Sequence, residues 1–132
     1  MDLAYSEEDL KLGRHHKNLT TLKNIIEDVS AAINWVKEKY PLKKISIIGF
    51  CFGGHAAFIA SSLKGIESSF CFYGAGVVSL RNDTNSAPID LLEKVSGKLS
   101  FICGTSDDLI PLKDRLEIKK RFKKLDPIRK KI

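Results

Sequence analysis

The chain has 132 residues, enough for one domain around one core, and its 43% hydrophobic and 29% charged content is that of an ordinary globular protein. The net charge is +6, no apolar run approaches the roughly 20 residues of a membrane helix, and the N-terminal MDLAYSEEDL lacks the layout of a signal peptide, so no membrane partner is expected and the expected location is cytoplasmic. Three cysteines (51, 71 and 103), an odd number with no C-x-x-C pair, suggest neither a disulfide framework nor a zinc site.

Residues 1–18 are polar and read as an irregular N-terminal arm, with His15 and His16 in solvent. Leu22, Ile25, Ile26, Val29, Ala32, Ile33 and Val36 then recur at helical spacing and predict an amphipathic helix over about 21–39, capped by Thr20 or Thr21 and ended by Tyr40-Pro41. Trp35 and Tyr40 read as packing residues of that helix. A strand over about 43–49 follows, then a helix over about 53–63 that Gly65 stops. Ser69–Tyr73 is a second apolar strand, and the polar stretch Leu80–Pro88 is the candidate for a mobile loop over a site. Leu91–Val95 fits one helical turn and Leu99–Cys103 a third strand. Leu112–Leu125 fits a basic amphipathic helix with Leu116, Ile118, Phe122 and Leu125 as its apolar residues; Asp126-Pro127 turns the chain, and Ile128–Ile132 begins another strand. Alternating strands and helices predict an α/β fold: a parallel sheet in three layers, with helices on both faces and right-handed crossovers, in a single domain spanning 1–132. Three clear strands make a thin sheet whose edges are open to association with another chain.

The chain is organised around Ile45–Ala57, ISIIGFCFGGHAA. A short apolar strand runs into Gly49-Phe50-Cys51-Phe52-Gly53 and out into a helix rich in small residues. This is the G-x-nucleophile-x-G turn that lifts a nucleophile out of the backbone, with Cys in place of Ser. The flanking glycines are explained if side chains at Gly49 and Gly53 would collide with the strained nucleophile between them. Cys51 falls at a helix N-terminus, where unpaired N–H groups and the helix dipole favour negative charge, and the backbone N–H of Phe52 is directed at a developing oxyanion. The competing reading is a buried cysteine in the Gly-rich turn of a nucleotide-binding fold; the G-x-G-x-x-G fingerprint fails because Cys51 occupies its second glycine.

Ligand sites of open α/β sheets lie at the carboxyl ends of the strands. Asp107 stands just past the third strand in G-x-x-D-x-x-I-P, Gly104 to Pro111, so it faces the same crevice as Cys51. A carboxylate there can orient a histidine that activates the nucleophile. Asp108 is the alternative holder of that role, and a plain turn and helix cap before Pro111 is the alternative to any role. His55, one helical turn after Cys51, reads as a histidine packed beside small residues. The basic run Lys119 to Lys131 reads as the solvated face of a terminal helix and a polar tail in preference to a nucleic-acid surface, since only Phe122 interleaves with it.

On IGFCFGGHAAF (Ile48–Phe58), SSFCFYGAGVV (Ser68–Val78) and GTSDDLIP (Gly104–Pro111), the chain resembles the dienelactone hydrolase family of α/β-hydrolases. The resemblance implies a partial α/β-hydrolase fold and hydrolysis of a lactone or carboxylic ester, such as a carboxymethylenebutenolide, with no cofactor or metal. It implies Cys51 as the catalytic nucleophile, Asp107 as the acid of a Cys-Asp-His triad and Phe52 as the main-chain oxyanion donor. The family places its histidine after the acid, and no histidine follows Asp107; it also has strands ahead of the first helix. The sequence therefore reads as the interior of such a domain, truncated at both ends. The alternative function is a catalytically inactive remnant or a partner-binding fragment.

Overall fold

The apolar spacing of residues 22–36 produces α2, Leu22–Lys39, with Ile25 and Ile33 buried. Thr21 caps it by accepting from the Asn24 N–H, while the Asn24 side chain returns to the Thr21 N–H in a reciprocal capping box. The computed structural model describes residues 3–41 and 43–125, and the backbone of 130 and 131. After α2 the order is β1 Ile45–Phe50, α3 Phe52–Ala60, β2 Ile66–Phe72, a 3₁₀ helix Pro88–Lys94, β3 Lys98–Ile102, α4 Leu112–Phe122 and β4 Lys130–Lys131. Among the described residues, no helix is long and apolar enough to cross a membrane.

The N-terminal arm is not irregular. Residues Glu7–Leu19 form a helix, α1, whose N-cap Ser6 accepts from the Asp9 N–H and whose first turn carries Glu7, Glu8 and Asp9. Acidic residues at the start and Lys17 at the end complement the helix dipole. No residue of α1 is buried, so the helix has no apolar stripe to betray it. Trp35 and Tyr40 are also not packing residues: both stand in solvent, with the Lys39 ammonium 4.9 Å from the Trp35 ring centroid. Leu116 on α4 is likewise exposed, and Ile118 and Phe122 hold the helix to the core.

The four strands lie in the order β1-β2-β3-β4, each pair parallel. The fourth strand falls within the Ile128–Ile132 stretch that reads as a strand beginning; Asp126-Pro127, Ile128 and Ile132 fall outside the described residues. Ile45 pairs with Ile66 but Ser46 pairs with Ser68, so Glu67 is an extra residue in β2. That bulge breaks the side-chain alternation and hides the first half of the strand from a period-two reading. The sheet and its strand–helix alternation are those of a partial α/β-hydrolase fold.

Cover of the sheet is unequal between its faces. On one face Cys71, Leu99 and Phe101 pack with Phe58 of α3, Ile89 and Leu92 of the 3₁₀ helix, and Ile118 and Phe122 of α4. Phe58 meets Phe101 edge to face, with ring centroids 6.1 Å apart. The alternate positions Ile48, Phe50, Phe70 and Ile102 all stand exposed, Ile48 at 59% and Phe50 at 53%. Phe50 stacks on Phe72 at 4.9 Å between centroids, which shields one ring face of each.

Candidate active site

β1 ends on a backbone conformation that L-residues rarely adopt. Cys51 has φ 54° and ψ −118° and serves as the N-cap of α3. Its N–H donates to the Phe72 carbonyl at 3.0 Å, and its carbonyl accepts from the His55 N–H at 3.1 Å, so the kink is fastened to β2 on one side and to α3 on the other. The thiol is exposed. Phe52 is the first helical residue, where helix geometry gives its amide no acceptor within the helix.

The glycines around this turn act differently from expectation. A Cβ on Gly49 would lie 1.9 Å from the Gly53 carbonyl oxygen, so the neighbour that Gly49 must clear is the backbone of α3 and not Cys51. A Cβ on Gly53 would meet nothing within 4 Å, so no collision demands that glycine. The further close approach is at Gly54 and Gly74: a Cβ on Gly54 would lie 2.3 Å from the Phe72 carbonyl oxygen, and one on Gly74 2.6 Å from the His55 amide nitrogen. These two glycines let α3 press against the exit of β2.

Cys51 opens on a cavity of about 460 Å³ at the carboxyl ends of the strands. Phe52, His55, Tyr73, Arg81, Asp107 and Leu109 share its lining, with Lys17, Asn18, Thr20 and Thr21 from the α1–α2 junction. The structure thus brings Cys51, Phe52 and Asp107 to one cavity. Asp107 is half-buried, and its Oδ1 accepts from the Leu109 N–H at 2.9 Å. Asp108 is exposed and is not part of the lining; neither are His15 and His16, exposed on α1.

His55 is buried, as expected, but it is hydrogen-bonded as well as packed. Nδ1 lies 2.9 Å from the Ala75 carbonyl and Nε2 lies 3.2 Å from Nη1 of Arg81. Desolvation by burial, with the Arg81 and Lys17 charges adding to it, holds His55 below the usual histidine range; the bond to Ala75 works in the opposite sense. Arg81 and Tyr73 are among the lining residues that the sequence did not mark as part of the site. Tyr73 sits at φ 39° just past β2, its N–H bound to the Ile102 carbonyl at 2.7 Å. The signal for Arg81 was available: it is the one basic residue in the polar stretch Leu80–Pro88.

The other two cysteines are chemically different from Cys51. Burial in the core pushes the Cys71 thiol up to about 12. Burial also raises Cys103, with Arg115 lowering it and Asp107 raising it further. Among the described residues, no group of three His, Cys, Asp or Glu side chains could hold a metal ion.

Comparison with known proteins fits this geometry. The model of the dienelactone hydrolase family matches residues 2–128. A Synechocystis sp. protein named as a carboxymethylenebutenolidase is 31% identical over 123 residues, covering 92% of this chain and 50% of that protein. A Bradyrhizobium sp. protein named as a 2-oxo-3-(5-oxofuran-2-ylidene)propanoate lactonase is 28% identical over 103 residues, 76% of this chain and 42% of that protein. A solved esterase of Pyrococcus furiosus superposes with a TM-score of 0.66 at 21% identity, covering 80% of this chain and 49% of the esterase, and so shares the fold. The chain spans about half the length of the curated relatives it matches. With the family model matching nearly every residue and the fold agreeing, this chain belongs to the dienelactone hydrolase family.

Proposed function

We propose that the cavity is the acylation site of a lactone or carboxylic ester hydrolase in which Cys51 is the nucleophile. The observation that carries this reading is the Cys51 backbone, at φ 54° and ψ −118° on the N-terminus of α3, opening on a cavity that Asp107 shares. The Cys51 thiolate attacks the carbonyl carbon, the Phe52 N–H stabilises the oxyanion, and the carbonyl re-forms as the ester C–O bond breaks, leaving an acyl thioester on Cys51 and an alkoxide that takes a proton from water. The relatives' names support a lactone as the substrate class.

The thioester must then be hydrolysed, and that step needs a base to deprotonate water. Asp107 fits the acid that would orient such a base. All three histidines of this sequence precede Asp107, and the Nε2 of His55 already faces Arg81. Wherever no base reaches the thioester, deacylation is slow and the acyl group stays on Cys51 long enough to be trapped.

The test is p-nitrophenyl acetate followed by acid quench and peptide mass spectrometry. The expected result is a burst of p-nitrophenol approaching one per chain, with the acetyl group on Cys51 and with Cys71 and Cys103 unmodified. Acetylation spread evenly over the three thiols, or no acetyl on Cys51, overturns the reading.

A further inference from the structure

The guanidinium of Arg81 ties together parts of the cavity that are far apart in sequence. Nη1 faces Nε2 of His55 at 3.2 Å, Nη2 donates to the Thr20 carbonyl at 2.7 Å, and Nε donates to Oδ1 of Asp83 at 2.9 Å. Oδ2 of Asp83 in turn accepts from the Leu22 N–H at the start of α2. Residues 81–86 are folded on themselves by the Arg81 N–H to the Ser86 carbonyl and the Asn85 N–H to the Arg81 carbonyl, both 2.9 Å.

The donors and acceptors fix the protons on His55. The Ala75 carbonyl only accepts, so Nδ1 carries the hydrogen; a guanidinium only donates, so Nε2 offers its lone pair. The ring is neutral and held at both nitrogens. It lies nearly parallel to the Phe52 ring, at 14° with centroids 6.1 Å apart, and the His55 amide is bonded to the Cys51 carbonyl. The imidazole therefore braces the first turn of α3.

We infer that Arg81 is a positioning residue: through His55 it holds the turn that carries the thiol, through Thr20 and Asp83 it holds the opposite wall, and a proton on His55 undoes the hold by setting two cations face to face. The inference rests on the hydrolase reading for what the thiol does, not for the hold itself. The two cations nearest His55 act in one direction. Arg81 from the loop and Lys17 from α1 both oppose a charge on the ring. Asp83 faces Arg81, while Cys51, Tyr73 and Asp107 share the cavity. Desolvation works against the Asp83 carboxylate, but the Leu22 N–H and Arg81 hold it below the usual carboxylate range, so it stays charged in mild acid.

The sign follows from linkage. The closed wall keeps His55 neutral and below its usual 6.5, whereas an opened wall lets it titrate normally, so opening takes up a proton. As pH falls below about 6.5 the opening constant rises by up to tenfold per unit, until the closed-state value is passed.

Amide hydrogen exchange of the full chain between pH 7.5 and 5.0, corrected for intrinsic rates, tests this. The expected result is faster exchange at Leu22 and Asn85 in acid, with β2 amides unchanged. His55→Gln keeps a donor and an acceptor but cannot charge, and is expected to lose the acid step. Arg81→Met is expected to exchange fast at both pH values. His15 and His16 are present in every variant, so an acid step that survives in His55→Gln overturns the proposal. A flat wild-type profile overturns it too, as does acceleration of β2 together with the wall, which is global unfolding. If the variants do not fold, the wild-type contrast between Leu22 and β2 decides. A wall that opens in a chain whose Cys51 is never acetylated leaves this inference standing and removes the hydrolase reading.

Discussion

Gly49→Ala will leave the chain without a cooperative unfolding transition. The added methyl would sit 1.9 Å from the Gly53 carbonyl oxygen, 2.3 Å from its carbon and 2.8 Å from the Gly54 nitrogen. All three are backbone atoms of the first turn of α3, and no rotamer change can move them. Relief requires α3 to shift off β1, and α3 cannot shift without lifting Phe58, Ile59 and Ala60 out of the core. Overpacking against fixed backbone belongs to the largest class of point-mutation effects, more than about 4 kcal/mol, comparable to the whole stability of a small domain. Gly53→Ala is the matched control. Its Cβ has open space, and replacing glycine by alanine in a helix gains up to about 1 kcal/mol. Thermal unfolding by circular dichroism separates the two; a Gly49→Ala protein melting within a few degrees of wild type would show that α3 does not lie where described.

Cys51→Ser will lower the p-nitrophenol burst by on the order of 10³-fold or more while leaving the melting temperature unchanged. The side chain is exposed, so exchanging sulfur for oxygen alters no packing. The reactivity changes because sulfur is the stronger nucleophile toward a carbonyl, and serine depends on an adjacent base to be useful. The histidine at hand, His55, has its lone pair directed at Arg81. A serine variant acylating within tenfold of wild type would mean that a base does reach position 51. Stopped-flow absorbance at fixed pH, with Cys51→Ala as the blank, measures the ratio.

Elements with a strong local signature could be read from the residues. α2 carries both its apolar period and its Thr21 cap, and the turn at Cys51 carries its glycines, so each is visible within a dozen residues. Helix α1 was hidden because it buries nothing; only the Ser6-Glu7-Glu8-Asp9 start marks it, and composition outweighed that signal. The bulge at Glu67 erased the alternation that would have shown β2 beginning at Ile66. At the site, Cys51 and Asp107 were legible because each follows a strand directly, and parallel strands deliver their exits to one rim. The hold on His55 was not legible. Its partners Ala75 and Arg81 are 20 and 26 residues away, and no local period links them. The constraint on Gly49 was not legible either, because it comes from the backbone of Gly53 and Gly54 packed across it and not from the side chain of Cys51.

The wet plane of Ile48, Phe50, Phe70 and Ile102 has a calorimetric consequence. The large heat-capacity rise of unfolding comes from apolar surface newly brought into water. Here four large apolar side chains are already partly hydrated before the chain opens. Denaturant sensitivity scales with the same newly exposed area. Both quantities therefore fall below those of an average 132-residue protein, and the stability curve against temperature is correspondingly shallow.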